Sequence, residues 1–354
     1  MGGIGGIPWR ERASVRRASG TIANAARAAT WLTPLALIAW VQWSVDLPDT
    51  RAAGDLDPVY WGAASWLRSG DAYDLGWITP PEYGWEASRL RIGNVYPLPA
   101  SLLIGLPFQA LEPLHAAMLF LLMCLTGMVV LLRASGLGPA MLWWLPVLEA
   151  SRVYQVELLV VVGYLMLWLA RRGGHVWWAG VAVLLLSLKP HSGAAGIILA
   201  IWWFRPRWWP VLLPTTCVWG ISLALQPDWP ARWLAQVALR NELIGIAGAP
   251  RYLALASVAC LLLWQARRSD PERRDGFLLA GLALLMSVAL PWPMPAWYPA
   301  AAWLIGLPRP MAAVAVLPPL ALWLVFPAPV ALAAGITLAL ASHIRDERRV
   351  TTHG

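Results

Sequence analysis

A single lysine stands out among the residues that could do chemistry. Lys189 is the only lysine of the chain, the other 26 basic side chains being arginines, and it interrupts the apolar stretch 176–204 as part of Lys189-Pro190-His191. An ammonium group in or near lipid is costly, so such residues usually face a cavity where they meet a partner or a ligand. We therefore expect an anion site at Lys189. The alternative is a side chain that reaches along a helix end to water.

The carboxylate of Asp57 is the second candidate. Asp57 precedes Pro58 and the stretch 59–67, whose apolar residues share one helical face while Trp61 and Ser65 point away from it. This pattern predicts a short amphipathic helix lying on a membrane surface, with Asp57 as its N-cap and Pro58 as its first residue. A carboxylate at such a boundary can also act as a general base. The two interpretations are compatible.

Composition indicates an all-α polytopic membrane protein. Hydrophobic residues make up 59% of the chain and charged residues 13%, and apolar runs of roughly 15 to 21 residues recur along its length. Many of the 25 tryptophans stand near the ends of these runs, as expected for anchors at a membrane interface. The three cysteines lie far apart inside apolar runs, which supports neither a disulfide framework nor a metal site.

The distribution of arginines predicts the topology. Five arginines precede the first apolar run, whereas the loop 46–94 is long and acidic, so the N-terminus is expected inside and this loop outside. The turn that carries Lys189 then comes out on the outer face. A net charge of +8 could attract nucleic acid, but arginines in short loops between apolar runs are topology determinants. The segments expected inside are 1–27, 171–172, 205–207, 267–274 and the tail 343–354.

Apolar runs predict about twelve spans in a single integral membrane domain over 1–354. The run 139–150 is short and contains Pro146, so we interpret it as a half helix, and 95–111 is interrupted by prolines. The segment between 226 and 249 is expected as an outer segment. The candidate spans are roughly 28–45, 95–111, 115–132, 139–150, 154–170, 175–189, 191–204, 208–225, 250–266, 277–291, 296–307, 311–326 and 328–343.

Three stretches of the chain resemble one family, the bacterial glycosyltransferases of family 87, membrane enzymes with the GT-C fold. These stretches are DPVYWGAA at 57–64 followed by GDAY at 70–73, then VYPLP at 95–99, and QVEL at 155–158 together with KPH at 189–191. Their order and spacing cover roughly residues 30 to 210. Glu157 stands where the family commonly has asparagine, and His191 where it has glutamine.

The resemblance implies a GT-C-like bundle that transfers a sugar, expected to be mannose, with inversion. The donor would be a polyprenyl-phosphate sugar and the acceptor a lipid or glycan, on the outer face of the cytoplasmic membrane. The candidate residues require no cofactor and no metal, and whether a divalent ion assists is left open by the sequence. Asp57 occupies the position of the family's catalytic carboxylate. The departing lipid phosphate needs cationic donors, which we expect from Lys189, His191 and Arg240. Weaker candidates for substrate contacts are Asp55, Tyr60, Tyr96, Gln155, Glu157 and Arg152, of which Glu157 and Arg152 could instead pair with each other.

Two other classes of function compete with sugar transfer. A transporter or flippase of an anionic or lipid-linked substrate would also need broken helices and charges within the membrane, although such proteins place the site at mid-depth between repeats. A non-catalytic membrane assembly protein is the third class. Membrane lipids are expected partners in every case, and nucleic acid is not.

Overall fold

The computed structural model describes residues 28–36, 38, 56–74, 97–152, 154–244, 249–289 and five isolated positions, 304, 307, 315, 336 and 337. The chain divides into two compact units, Met1–Val45 and Asp46–Gly354. In the first unit, residues 28–36 are helical. Throughout the described ranges the protein is all-α, without a β-strand.

The second unit contains eleven helices within those ranges. The helix α2 changes along its length from α-helix to π-helix at Ser101–Gly105 and then to 3₁₀-helix at Leu106–Phe108. Short 3₁₀ turns, Pro139–Trp143 and Arg205–Arg207, precede α4 and α8. The helices are α1 Asp57–Ser69, α2 Leu98–Phe108, α3 Pro113–Ala134, α4 Leu145–Arg152, α5 Glu157–Gly173, α6 Val176–Ser187, α7 Pro190–Trp203, α8 Trp208–Leu225, α9 Trp229–Ile244, α10 Ala249–Arg268 and α11 Pro271–Ala289.

Most predicted spans in the described ranges correspond to helices, with two differences. The run 139–150 is divided at Trp144 into a 3₁₀ turn and the short helix α4. The segment 226–249, for which no helix was predicted, contains the sixteen-residue helix α9. Among the residues that the structure describes, two helices are long and apolar enough to cross a membrane, Pro113–Ala134 and Arg205–Leu225.

Contacts between helix ends show which loops share one end of the second unit. The Arg171 guanidinium lies 3.7 Å from the Asp275 carboxylate and 5.7 Å from the centre of the Trp203 ring. The last turns of α5 and α7 and the first turn of α11 therefore meet. The rings of Trp177 and Trp209 pack edge to face at 5.8 Å, which brings the starts of α6 and α8 together. These contacts gather 171–178, 203–209 and the start of α11, and we call this the arginine end.

The helix α1 packs closely on α2, and the contact overturns two predictions. Asp57 is not the N-cap, because Leu56 holds that position without a side-chain cap and Asp57 is already helical. Nor does α1 expose the predicted face: Trp61 and Ser65, predicted to point away from the apolar face, are both buried, whereas Leu67, predicted on the apolar face, is 56% exposed. Periodicity alone could not show this packing, which depends on a partner helix distant in sequence.

A glycine on α2 permits this close approach. A Cβ added to Gly105 would fall on the carbonyl oxygen of Val59 and lie 2.8 Å from the Ala63 Cβ. We expect Gly105→Ala to push α1 from α2 and to lower the free energy of unfolding by about 1–3 kcal/mol. Gly220→Ala is the matched control, because nothing lies within 4 Å of the added methyl group on α8. Thermal unfolding in detergent compares them, and equal melting temperatures would contradict the described packing.

Candidate functional site

Lys189 lies at the break between α6 and α7. Proline disfavours helical geometry in the residue before it, and Lys189 accordingly has φ −133° and ψ 80°. Pro190 then begins α7, where its missing N–H is not needed. The N–H groups of Ser192 and Gly193 both donate to the Lys189 carbonyl at 3.0 Å. The backbone therefore fixes Lys189 at the cap position of α7.

The ammonium of Lys189 forms an ion pair with Glu157, the first residue of α5. The Nζ atom donates to Oε1, and the two side chains are only 10% and 5% exposed. The alternative interpretation, in which the lysine reaches along a helix end to water, does not fit this buried side chain. From the sequence, Arg152 was a possible partner of Glu157. In the structure, Glu157 pairs with Lys189. Removing one partner of a buried pair typically costs about 3–5 kcal/mol because the other charge stays buried.

A second set of polar contacts holds α5 against α7. The Tyr164 hydroxyl donates to the Ser192 carbonyl at 3.0 Å and accepts from the Gly196 N–H at 3.3 Å. Close packing reinforces them, since a Cβ on Gly196 would lie 2.6 Å from Leu186 Cδ1 on α6. Three helices therefore fix the geometry of the ion pair, which has little room to shift as a unit.

Some buried polar atoms beside the pair have unused hydrogen-bonding capacity. Within the described ranges, Glu157 Oε2 and Ser192 Oγ are buried and have no hydrogen-bond partner. Leaving such an atom without a hydrogen bond costs about 1–3 kcal/mol. A buried atom of this kind therefore often binds a ligand or a water molecule. Three residues before Glu157, the buried Tyr154 adopts φ +51°, a backbone conformation that non-glycine residues rarely take outside functional sites and tight turns.

A polar cluster joins the loop after α1 to the segment between α8 and α9, and we call it the clasp. The Asp71 carboxylate forms an ion pair with Arg232 and accepts from Gln226 Nε2 at 2.9 Å. The Ala72 N–H donates to Gln226 Oε1 at 3.3 Å. A hydrogen bond to Asp228 is the main cause that raises the pKa of Arg232, with the Asp71 charge adding to it. Two segments about 155 residues apart in sequence are thereby tied together.

Aromatic side chains under the clasp connect it to the helix break. The Trp219 and Trp229 rings pack edge to face at 5.3 Å, and Trp229 is buried with Ala72 and Leu98. Burial here raises the pKa of the Tyr73 phenol well above its usual range. Trp219 Nε1 also donates to Ser187 Oγ at 3.1 Å, at the last residue of α6. The clasp and Lys189 thus share the end of the helices opposite the arginine end.

The ion pair in the clasp allows us to predict a coupling free energy between Asp71 and Arg232. Asp71→Asn and Arg232→Gln should each destabilise the protein, while the double variant should lose less than the sum of the two. For a partly exposed pair we expect a coupling free energy of about 1 kcal/mol. Thermal or chemical unfolding of the four proteins measures it. Strictly additive losses would show that the two side chains do not interact.

The remaining predicted residues are dispersed. Asp57 is buried at the start of α1, on the helix pair α1–α2 rather than among α5, α6 and α7. Tyr60 has a structural use, since its hydroxyl donates to the Leu111 carbonyl at 2.7 Å. Gln155 and His191 are half-buried. Asp55 and Tyr96 lie outside the described residues, as do the side chains of Arg152 and Arg240, whose backbones belong to α4 and α9.

Sequence reasoning missed Ser192, Asp228 and Arg232, and it noted Asp71 without a role. The available signal was weak: Gln226 is the first polar residue after the long apolar run of α8, and it faces the GDAY motif. No group of three or more His, Cys, Asp or Glu residues that could hold a metal ion occurs in the ranges that the structure describes. Comparisons with protein-family models, with curated proteins and with solved structures give no match for this chain.

Proposed function

We propose that this protein is an inverting glycosyltransferase that moves a sugar, mannose in the first instance, from a polyprenyl-phosphate donor to a lipid or glycan acceptor. It would be a GT-C-like bundle of about twelve transmembrane helices in the cytoplasmic membrane, with both chain ends inside. The observation that carries the proposal is the buried Lys189–Glu157 pair at a helix break, at the end of the helices opposite the arginine end. The resemblance of its motifs to glycosyltransferase family 87 supports the same assignment.

The proposed reaction needs one base and one cationic group. The acceptor hydroxyl oxygen forms a bond to the anomeric carbon as the bond from that carbon to the phosphate oxygen breaks, and Asp57 takes the hydroxyl proton. The leaving phosphate gains negative charge, which Lys189 stabilises, with His191 and Arg240. Attack from the face opposite the phosphate inverts the anomeric centre. Membranes containing the protein should form a labelled product from radiolabelled polyprenyl-phosphate mannose, and membranes lacking it should not.

The clasp supports a common outer site. Asp71 follows the helix that begins with Asp57, and the aromatic cluster under Asp71 reaches Ser187, two residues before Lys189. This chain of contacts supports a site that the base candidate and the phosphate candidate share. A helix of thirteen residues is about 20 Å long, so Asp57 lies at the end of α1 away from Asp71, and the proposed reaction requires the anomeric carbon of the donor to lie between Asp57 and Lys189.

Topology can be tested by cysteine labelling. Cys124, Cys217 and Cys260 are first replaced by alanine, since the last two are exposed. A cysteine at the exposed Ser69, next to the clasp, should react with an impermeant maleimide in intact cells. A cysteine at the exposed His175, at the arginine end, should react only after the cells are opened. The reverse pattern would place Lys189 and Asp71 inside and contradict the proposed outer site.

A transporter or flippase of an anionic or lipid-linked substrate is the second candidate. The same ion pair favours it, because paired ionisable residues between membrane helices also mark transport pathways. The two functions differ in their products: a transferase changes the substrate chemically, whereas a transporter only moves it.

A further inference from the structure

The carboxylate of Glu157 lies beside a cation, a helix start and buried polar atoms. One carboxylate oxygen binds Lys189 and the other is buried without a partner in the described part of the chain. Gln155 and His191, each two residues from a member of the pair, are half-buried, so the chain beside each member reaches the surface. The helix α7 also begins here without a side-chain cap, and the unpartnered Ser192 hydroxyl lies in its first turn. Cation, helix start and unused polar atoms are therefore together.

Charge balance restricts how an anion can enter. A phosphodiester that reaches Lys189 while Glu157 stays ionised puts two negative charges on one buried ammonium. Like charges that share a site of low dielectric repel strongly, and an uncompensated buried charge is costly. Leu186 packs closely on Gly193 and Gly196, which holds α6 tightly against α7 at the break that carries Lys189. Neutralising the Glu157 carboxylate with a proton removes the conflict without moving a helix.

We propose that Glu157 is an exchangeable counterion of Lys189: it holds the ammonium in the resting protein and yields it to the phosphate of the donor, taking up one proton from solvent. The inference rests on the proposed function, whose donor phosphate it places at Lys189. The protonated carboxyl can then donate a hydrogen bond to a phosphate oxygen, which an ionised carboxylate cannot do. Glu157 is thus a residue that makes donor binding selective for a phosphate ester.

Other titratable groups on α7 and on the neighbouring helices could also exchange protons, so the experiment must distinguish them from Glu157. His191 lies in the first turn of α7, two residues after Lys189, and Tyr164 lies two turns along α5 with its hydroxyl engaged by Ser192 and Gly196. Asp275 of α11 is at the arginine end, where it faces Arg171. The other neighbouring helices contribute no ionisable residue on α6, Glu149 and Arg152 on α4, and His115, Cys124 and Arg133 on α3.

Calorimetry on the whole protein in nanodiscs tests the exchange. The probe is polyprenyl-phosphate mannose without acceptor, a phosphodiester whose single negative charge does not change between pH 6 and 8. Titration in two buffers of different ionisation enthalpy counts the protons. We expect uptake of close to one proton per donor at pH 7.5, and an affinity that falls by up to about tenfold for each pH unit in the range where Glu157 releases its proton.

Variants separate Glu157 from other groups. Glu157→Gln should bind the donor without proton uptake and more tightly than wild type at pH 8, by on the order of tenfold, since no proton is then needed. Asp74→Asn, which removes an exposed carboxylate in the loop after α1, should keep the wild-type proton uptake. If Glu157→Gln does not fold, the wild-type proton count still decides.

Two negative results have different meanings. Tight binding by wild type with no proton uptake would overturn the exchange and leave the transferase assignment standing. Absence of donor binding at every pH would overturn the donor site at Lys189 and the proposed function with it.

Discussion

Asp57→Asn is expected to reduce sugar transfer roughly 100- to 10,000-fold, the range that a general base contributes. Asparagine has the shape of aspartate but cannot accept the proton of the acceptor hydroxyl. Asp57 is not a helix cap, and losing its charge removes an attraction to the helix dipole of about 0.3–1 kcal/mol, which is small beside the expected loss of rate. Initial rates with labelled donor, together with melting temperatures of both proteins, measure the two effects separately.

Two controls accompany this variant. Asp74→Asn removes an exposed carboxylate after α1 and should leave the rate near wild type. Asp55→Asn tests the neighbouring carboxylate. Normal turnover of Asp57→Asn with loss of turnover in Asp55→Asn would move the base to Asp55, and full activity of both would refute the base mechanism.

Lys189→Met is expected to lower kcat/KM for the polyprenyl-phosphate donor by on the order of a hundredfold or more, because one charge-assisted contact to the leaving group is lost. Unlike Asp57→Asn, it should also destabilise the protein by about 3–5 kcal/mol, since Glu157 is left as an uncompensated buried charge. Lys189→Arg should recover part of the rate, limited by the planar fork of the guanidinium.

A double variant separates the two losses. In Lys189→Met combined with Glu157→Leu both charges are gone, and apolar replacements of a buried pair are often neutral or stabilising. The melting temperature should therefore return close to wild type while the rate stays low. Recovery of both would show that the lysine serves only to hold the helices together.

Local signals in the sequence predicted several helix ends, most of them to within a few residues. Pro190 begins α7 because proline excludes helical geometry before it. Gly174, at φ +67°, ends α5 where the sequence predicts a turn between two apolar runs. Apolar length alone placed α8 at its observed residues, 208–225. These features depend on a few neighbouring residues, so they can be predicted from the sequence without knowledge of the tertiary structure.

Contacts between distant segments were not predictable in the same way. The partner of Lys189 is 32 residues away, and the pairing depends on how α5 lies against α7. Burial of Ser65 and Trp61 depends on α2 approaching α1 at Gly105. The helix α9 was missed because its charged residues, including Arg232, break the apolar pattern that predicts spans. The sequence therefore pointed to the candidate site through its single lysine, Lys189, but the partners and the geometry of that residue came only from the structure.

The chemical fate of the donor tests the central claim most directly. Purified protein is reconstituted into sealed vesicles with polyprenyl-phosphate [³H]mannose and a membrane lipid extract as acceptor, and the label is separated by chromatography. We predict that the label moves into a new compound in wild type and remains in the donor with Asp57→Asn. Label that stays in intact donor and only changes its accessibility across the membrane would contradict the transferase and favour the transporter.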